Sequence, residues 1–287
     1  MVTIRQGQIR DCKDLLTVYS TTRWFYRTRP EGFRTVEEVK DEHRGIGFKK
    51  WGWLVAEKDG AIVGEVVFRI EKSPVFGRIG IIRNMDIDVR FQKEAIGTQL
   101  TKAAEKIMKE KRVARIFLVT PPEVYNFWMK VEYFSRGSLD YIQANPEKIK
   151  TVPPRGVKRV ELKNVNKLPK SMDFSNIALP GLLVETLGRI VDNGHLGKLF
   201  EFYKKDVLIG VSAILKASPK EAEFVIDVIP SYEDYADVIL GNTLAVASQW
   251  KVKKVRCMIP TDQLDHYKPV ARWSIERAKD IPVTRIV

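Results

Sequence analysis

Met85-Asp86-Ile87-Asp88-Val89-Arg90-Phe91-Gln92-Lys93-Glu94-Ala95-Ile96-Gly97-Thr98-Gln99-Leu100 reads as a strand that runs into a tight turn and straight out into a helix. Up to Val89 polar and apolar side chains alternate, which is the period of a strand. From Thr98 to Lys111 the apolar residues Leu100, Ala103, Ala104, Ile107 and Met108 recur at spacings of three and four, one face of a helix. Between the two, residues 92–97 have the form Gln-x-x-Ala-x-Gly. Small residues placed so at the start of a helix leave several backbone N–H groups unpaired and pointing the same way, which suits a phosphate or pyrophosphate.

Working outward, the chain before this stretch predicts a strand at Thr3 to Gln6 and a helix from Asp11 to Tyr19, with Asp11 as its cap. A loop dense in aromatic residues follows, in which Trp24, Tyr26 and Arg27 are candidates to line a ligand pocket. Thr35, with Glu38 three residues later, opens a second helix to His43 as a capping box. The strands Trp53 to Glu57 and Ala61 to Phe68 are joined by the hairpin turn Lys58-Asp59-Gly60. The strand Ile79 to Val89 then delivers the chain to the turn. Beyond the turn come a strand at Arg115 to Val119, a helix from Pro121-Pro122 through Val131, and a strand in Tyr133 to Tyr141 that would close the sheet.

The breaker-rich segment Val152-Pro153-Pro154-Arg155-Gly156 marks a linker, giving an α/β domain over 1–148 and a second over 157–287. The second repeats the first. Val207-Leu208-Ile209-Gly210 echoes Ala61-Ile62-Val63-Gly64, and Ile226-Asp227-Val228 echoes Ile87-Asp88-Val89 at an offset of 139 residues. A repeated element order carrying repeated small motifs indicates duplication.

A chain of 287 residues, 44% hydrophobic, supports two real cores. It contains no run of about 18 uninterrupted apolar residues that would span a membrane. Its N-terminus goes directly into a strand pattern without a secretory apolar core, and Cys12 and Cys257 are isolated; both point to a reduced, cytoplasmic protein. Abundant Lys and Glu with few Asn, Gln and Cys suggest a thermophilic source. The net charge of +13 is dispersed and mixed with Glu, which fits a polyanionic cofactor better than nucleic acid. His43, His195 and His266 lack ligand spacing, so no metal is expected.

With these residues in view, the first half resembles a GNAT-type N-acetyltransferase domain over roughly residues 3–140. That family places an Arg/Gln-x-x-Gly-x-Gly/Ala turn between a strand and a helix and binds the acetyl-CoA pyrophosphate there. Here the match is Gln92-Lys93-Glu94-Ala95-Ile96-Gly97. The resemblance implies a fold of two tandem GNAT-like domains, each a mixed, mainly antiparallel sheet flanked by helices. It implies acetyl-CoA as co-substrate and a small-molecule or peptide amine as acceptor. It also implies that the N–H groups of Lys93, Glu94, Ala95, Ile96, Gly97 and Thr98 hold the pyrophosphate, while Ile87, Asp88 and Val89 carry the strand edge that pairs with pantetheine amides. Ala95 stands where glycine is commoner and permits close approach if its φ is negative.

Acetyl transfer to an amine needs a base, a polarised carbonyl and a proton for the thiolate. Asn84, Asp86 and Asp88 share one face of the strand, an arrangement that is costly unless the face opens on a cleft. Asp86 is the leading candidate base and Asp88 the second. The family's acid is a tyrosine in the helix after the fifth strand. Here Trp128 stands in that place, leaving Tyr125, one turn earlier, as the candidate. The departure keeps a non-catalytic acyl-CoA-binding module open as the alternative. In the second half the offset places Ser231, Asp234 and Ala236 where Gln92, Ala95 and Gly97 stand, and acidic residues there would repel a pyrophosphate.

Overall fold

A computed structural model of the chain describes residues 1–22, 35–45, 48–163, 176–192 and 194–287. Trp24, Tyr26 and Arg27 lie outside them. Two compact units emerge, one of Met1–Glu71, Arg78–Phe134 and Val283–Val287, the other of Lys72–Gly77 and Ser135–Pro282. The first contains β1 (Val2–Gln6), α1 (Cys12–Thr21), α2 (Val36–Glu42), β2 (Trp53–Lys58), β3 (Ala61–Ser73) and β4 (Gly77–Ile87). These are followed by α3 (Ile96–Glu110), β5 (Arg115–Thr120), α4 (Pro122–Lys130) and β6 (Phe134–Ser135). Next come β7 (Leu139–Ala144), β8 (Lys158–Glu161), α5 (Leu182–Val191), β9 (Gly197–Lys204), β10 (Val207–Ser218) and β11 (Glu221–Val228). The chain ends with α6 (Ala236–Gln249), β12 (Lys254–Pro260), β13 (Ser274–Arg277) and β14 (Ile281–Ile286).

Local chemistry accounts for these elements. Asp59 and Gly60 both take positive φ (51° and 81°), as a two-residue hairpin demands, and Lys205 and Asp206 (47° and 65°) repeat the device between β9 and β10. Thr35 and Glu38 form a reciprocal capping box on α2. Asp11 does not cap α1; its carboxylate is taken by Arg5 at 2.7 and 2.9 Å and by the Gln8 N–H at 2.8 Å.

Two seven-stranded sheets result, in the orders β1-β2-β3-β4-β5-β14-β6 and β13-β7-β12-β11-β10-β9-β8. Each is mixed and flanked by helices, in agreement with two tandem GNAT-like α/β folds. One expectation is corrected in part: of the Tyr133 to Tyr141 region only β6 joins the first sheet, as its edge strand, and it does not lie beside β5. That place beside β5 is taken by β14, where Thr284 Oγ1 donates to the Ile116 carbonyl at 2.8 Å and the Val287 N–H to the Ala114 carbonyl at 3.2 Å. β7 instead pairs with β12 and β13 in the second sheet, with Leu139 and Ile142 fully buried. Both segments are short and alternate with the same period, so pattern alone cannot say which sheet each joins.

One face of the first sheet packs Leu15, Val18 and Tyr19 of α1 and Val39 of α2 on Trp53, Val55, Ile62 and Val67. Where α3 crosses the sheet it comes so close that a Cβ on Gly80 would sit 2.4 Å from Met108 Sδ. Among the described residues no helix is long and apolar enough to cross a membrane, and no cluster of His, Cys, Asp and Glu is placed to hold a metal ion.

Candidate active site

Parallel pairing of β4 with β5 holds only from Ile79↔Arg115 to Ile81↔Phe117. Both strands then continue, β4 to Ile87 and β5 to Thr120, with no further paired register. A wedge therefore opens in the sheet along the part of β4 that carries Asn84, Asp86 and Ile87.

The strand ends earlier than its alternation predicts. Asp88 caps a short 3-10 turn, Val89–Phe91, by accepting the Arg90 N–H at 3.0 Å, and also takes the Arg90 guanidinium. Arg90's hydrogen bonds hold the Asp88 carboxyl below the usual carboxylate range, against the effect of burial. That carboxyl is committed to Arg90 and is a poor base. Val89 lies off the strand, half exposed, with its N–H on Thr21 Oγ1 at 3.3 Å. The Ile87 carbonyl accepts the Gln92 amide at 3.3 Å. Of the expected strand-edge residues, Ile87 alone is still on the strand.

Lys93 and Ala95 both adopt left-handed φ, 71° and 60°. The negative φ that would let Ala95 replace glycine without strain is not met. At the N-cap of α3 Ala95 offers no side-chain oxygen, and the first i to i−4 bond of the helix runs from the Gln99 N–H to the Ala95 carbonyl. The N–H groups of Ile96, Gly97 and Thr98 thus precede the first helical bond, at the positive end of the helix dipole. Residues 92–95 are exposed, so this cradle faces solvent. Gly97 is closely packed: a Cβ there would stand 3.0 Å from Ile87 Cδ1 and 3.2 Å from the Phe127 ring. Glu94 is paired with Lys58 at 2.6 Å, which removes its charge from competition with an incoming anion. The turn fits a pyrophosphate.

On the other face of β4 stands Asp86, 3% exposed, with Oδ1 lacking a hydrogen-bond partner among the described residues. Burial, reinforced by the charge of Glu65 and opposed by His43, pushes its carboxyl up to about 7. Such a group takes up a proton near neutrality, which is what a general base must do. Behind it lies a cluster that the sequence did not reveal. Glu65 on β3 is wholly buried and accepts from Tyr19 Oη, from Trp53 Nε1 at 2.8 Å, and from His43 Nε2 at 2.9 Å. Burial works against a charge on His43, but Glu65's charge and hydrogen bond outweigh it and raise the imidazole above its ordinary value. A lone carboxylate inside the apolar run Ile62-Val63-Gly64-Glu65-Val66-Val67-Phe68 is the signal that could have found the cluster.

Trp128 is core, 4% exposed, with its ring edge-on to Tyr133 at 5.0 Å. Tyr125 lies half-buried on α4, and no hydrogen bond joins it to Asp86 among the described residues.

The second unit is built alike. Its wedge opens where β11 and β12 part after Glu223↔Arg256. A Cβ on Gly64 would meet the Asp86 carbonyl at 2.9 Å, and one on Gly210 the Asp227 carbonyl at 3.0 Å. The structural counterpart of Asp227 is therefore Asp86, two residues from the counterpart that the sequence offset suggests. Asp227 Oδ1 accepts the N–H groups of Asn176, Ile177, Ala178 and Val228 at 3.0–3.3 Å. At the start of α6, Asp237 Oδ1 accepts the Val238 N–H at 2.8 Å and pairs with Arg155. An acidic side chain already bonded within the protein thus stands at the start of α6.

Residues 18–129 match the family described as the Acetyltransferase (GNAT) family. Among solved structures, a putative acetyltransferase from Pyrococcus horikoshii is similar at TM-score 0.57 and 18% identity, over 100% of this chain and 89% of its own. A GCN5-related N-acetyltransferase from Anabaena variabilis is similar at TM-score 0.65 and 10% identity, over 100% of this chain and 73% of its own. A tandem GNAT protein from the clavulanic acid biosynthesis pathway aligns at TM-score 0.52 and 10% identity, over 100% of this chain and 98% of its own. A comparison with curated proteins finds no match.

Proposed function

From a chain whose residues 18–129 form a GNAT-family domain within two tandem GNAT-like folds, we infer an N-acetyltransferase that uses acetyl-CoA and works through its first unit. The observation that carries this reading is a juxtaposition along one strand-turn-helix segment. Asp86 presents an orphan carboxyl oxygen on β4, and nine residues later the left-handed turn at Ala95 leads into a helix start whose first N–H groups have no partner within the helix. Base and anion cradle lie on one continuous strand-turn-helix segment. Lys93 to Thr98 would hold the pyrophosphate and Ile87 would meet the pantetheine arm.

In the reaction the neutral amine nitrogen attacks the thioester carbonyl, the new N–C bond forms as C–S breaks, and Asp86 receives the proton lost by nitrogen. The departing CoA thiolate is protonated by Tyr125 or by water. The acceptor is a small-molecule or peptide amine. The second unit, with Asp227 and Asp237 already bonded, would not bind CoA and would serve as a structural or substrate-side partner.

Calorimetry with acetyl-CoA on the wild type and on Gly97→Trp tests the cradle: binding by the wild type and none by the variant is expected, and equal binding removes the site. The second reading, a non-catalytic acyl-CoA-binding module, is favoured by Trp128 being a core residue. A screen of amines, polyamines and peptide N-termini for CoA release separates the two, since the module binds and never turns over.

A further inference from the structure

We propose that Glu65 is a positioning residue for Asp86: a buried negative charge, fixed by three donors and balanced by an imidazolium at His43, that governs how readily Asp86 takes a proton. The proposal rests on the assignment of Asp86 as base and adds the device that tunes it.

Geometry supplies the first argument. The Asp88 N–H bonds the Val63 carbonyl at 3.0 Å, and a Cβ on Gly64 would lie 3.4 Å from Ile87 Cα. That register sets Glu65 across from Asp86 on the same face of β3 and β4. Like charges directly opposite in a strand pair repel, and a wholly buried pair has no water to screen it.

Hydrogen-bond bookkeeping supplies the second. His43 Nδ1 lies 2.7 Å from the Val39 carbonyl, which can only accept, so Nδ1 carries a proton. Nε2 faces Glu65 Oε2, which already accepts from Trp53 Nε1. Three donors converging on Glu65 favour its carboxylate, and with that form both ring nitrogens donate and the pair is imidazolium with carboxylate. The imidazole ring also lies 4.3 Å from the Trp53 ring centroid, within cation–π range. Glu65, with both oxygens bonded, cannot turn away from Asp86.

The duplicate copy is an internal control. Val211 stands opposite Asp227 where Glu65 stands opposite Asp86. There the aspartate is consumed by four backbone N–H groups. The copy without the opposing charge holds its aspartate as structure; the copy with the charge leaves one oxygen without a partner.

The charged and titratable groups turned toward Asp86 among the described residues are Glu65 of β3, His43 at the C-cap of α2 and Tyr19 of α1, with Glu42 of α2 behind them and paired to Arg83 at 3.5 Å. The two charges predict opposite effects. Glu65→Gln removes the stronger charge, and His43 loses its anion with it. His43→Asn leaves Glu65 charged and uncompensated.

Infrared difference spectra of the full chain against Asp86→Asn isolate the carboxyl stretch of Asp86, and a pH titration gives its midpoint without any substrate. Glu65→Gln should lower that midpoint by about one pH unit and His43→Asn should raise it by a similar amount, while Tyr19→Phe leaves it in place. The acid limb of kcat/KM, measured by CoA release with an amine that turns over, should move with it. Tight packing alone would not split the two variants in sign. A midpoint unmoved by Glu65→Gln, or moved the same way by both variants, overturns the proposal. If Glu65→Gln does not fold, His43→Asn decides it, since an unchanged or lowered midpoint sinks it. Midpoints that split as stated, with a kcat/KM profile that ignores them, uphold the coupling and overturn Asp86 as base.

Discussion

Asp86 and Asp227 occupy the same place in two copies of one strand, and the difference between them is a matter of hydrogen bonds. Four N–H groups satisfy Asp227; Oδ1 of Asp86 has no partner among the described residues. An orphaned buried carboxyl is destabilising once ionised, and the sign can be stated. The folded group ionises at about 7 and the unfolded one at 3.8. Across that window the unfolded chain binds fewer protons, so stability falls as pH rises, by on the order of 4 kcal/mol for a fully buried group. Asp86→Asn should therefore melt near the wild type at pH 4 and clearly above it at pH 8, while losing 100-fold or more of its turnover, on the order expected for a general base. Thermal melts at the two pH values with a CoA-release assay check both halves; a variant no more stable at pH 8 refutes the linkage. Ala95 carries the opposite kind of strain. A left-handed φ of 60° costs a non-glycine residue about 1 kcal/mol or more, part of which glycine returns through its freer unfolded chain. Ala95→Gly should raise stability by roughly 0.5 kcal/mol and leave acetyl-CoA affinity unchanged, whereas the β-branched Ala95→Val should lose both. Denaturant melts and calorimetry decide it.

At the scale of elements, β4, the turn and α3 act as one piece because Gly97 lets three surfaces meet: Ile87 from the strand, Phe127 from α4 and the helix start itself. Adding one methyl there forces a shift of a few tenths of an ångström, so Gly97→Ala should cost about 1–3 kcal/mol of stability and weaken acetyl-CoA binding several-fold. A variant that binds as the wild type does would show that the cradle tolerates displacement of the helix start. This strand-turn-helix was legible in the sequence because each part declares itself locally, by alternation, small residues and helical period. The hairpin at Asp59-Gly60 and the box at Thr35 and Glu38 were legible for the same reason. Three features were not. The sign of φ at Ala95 depends on how α3 docks, which no local pattern states. Glu65 sits in an apolar run whose meaning comes from Tyr19, His43 and Trp53, residues brought in from three other segments. The repeat offset also slips, because Gly64 aligns with Gly210 but Asp86 with Asp227, and the hairpin between them is shorter in the second copy.

On the scale of the whole chain, the last strand belongs to the first sheet. β14 brings Val283 into its interior, and Arg285 holds the Val131 carbonyl at 2.6 Å, Glu105 at 3.1 Å and Glu132 at 2.8 Å. Conversely β7, which lies within the sequence-defined first domain, buries Leu139 and Ile142 in the second sheet. A cut at residue 148 would thus leave β5 without one of its two neighbours, β14, and expose two core side chains of β7 on the fragment, an open edge prone to association. The fragment 1–148 is expected to aggregate or remain unfolded although it contains Asp86, the turn and α3 entire. The sharper experiment is a chain ending at Asp280. It keeps every residue proposed to touch acetyl-CoA and loses only the strand beside β5. Burial of Val283 and the bonds of Thr284 and Arg285 together amount to several kcal/mol, a large part of the stability of an ordinary domain. Loss of acetyl-CoA binding in calorimetry, with a lowered first transition by circular dichroism, is the expected result. Unchanged binding and melting in the shortened chain would mean that the first sheet stands without β14, and that its closing strand serves the site in no way.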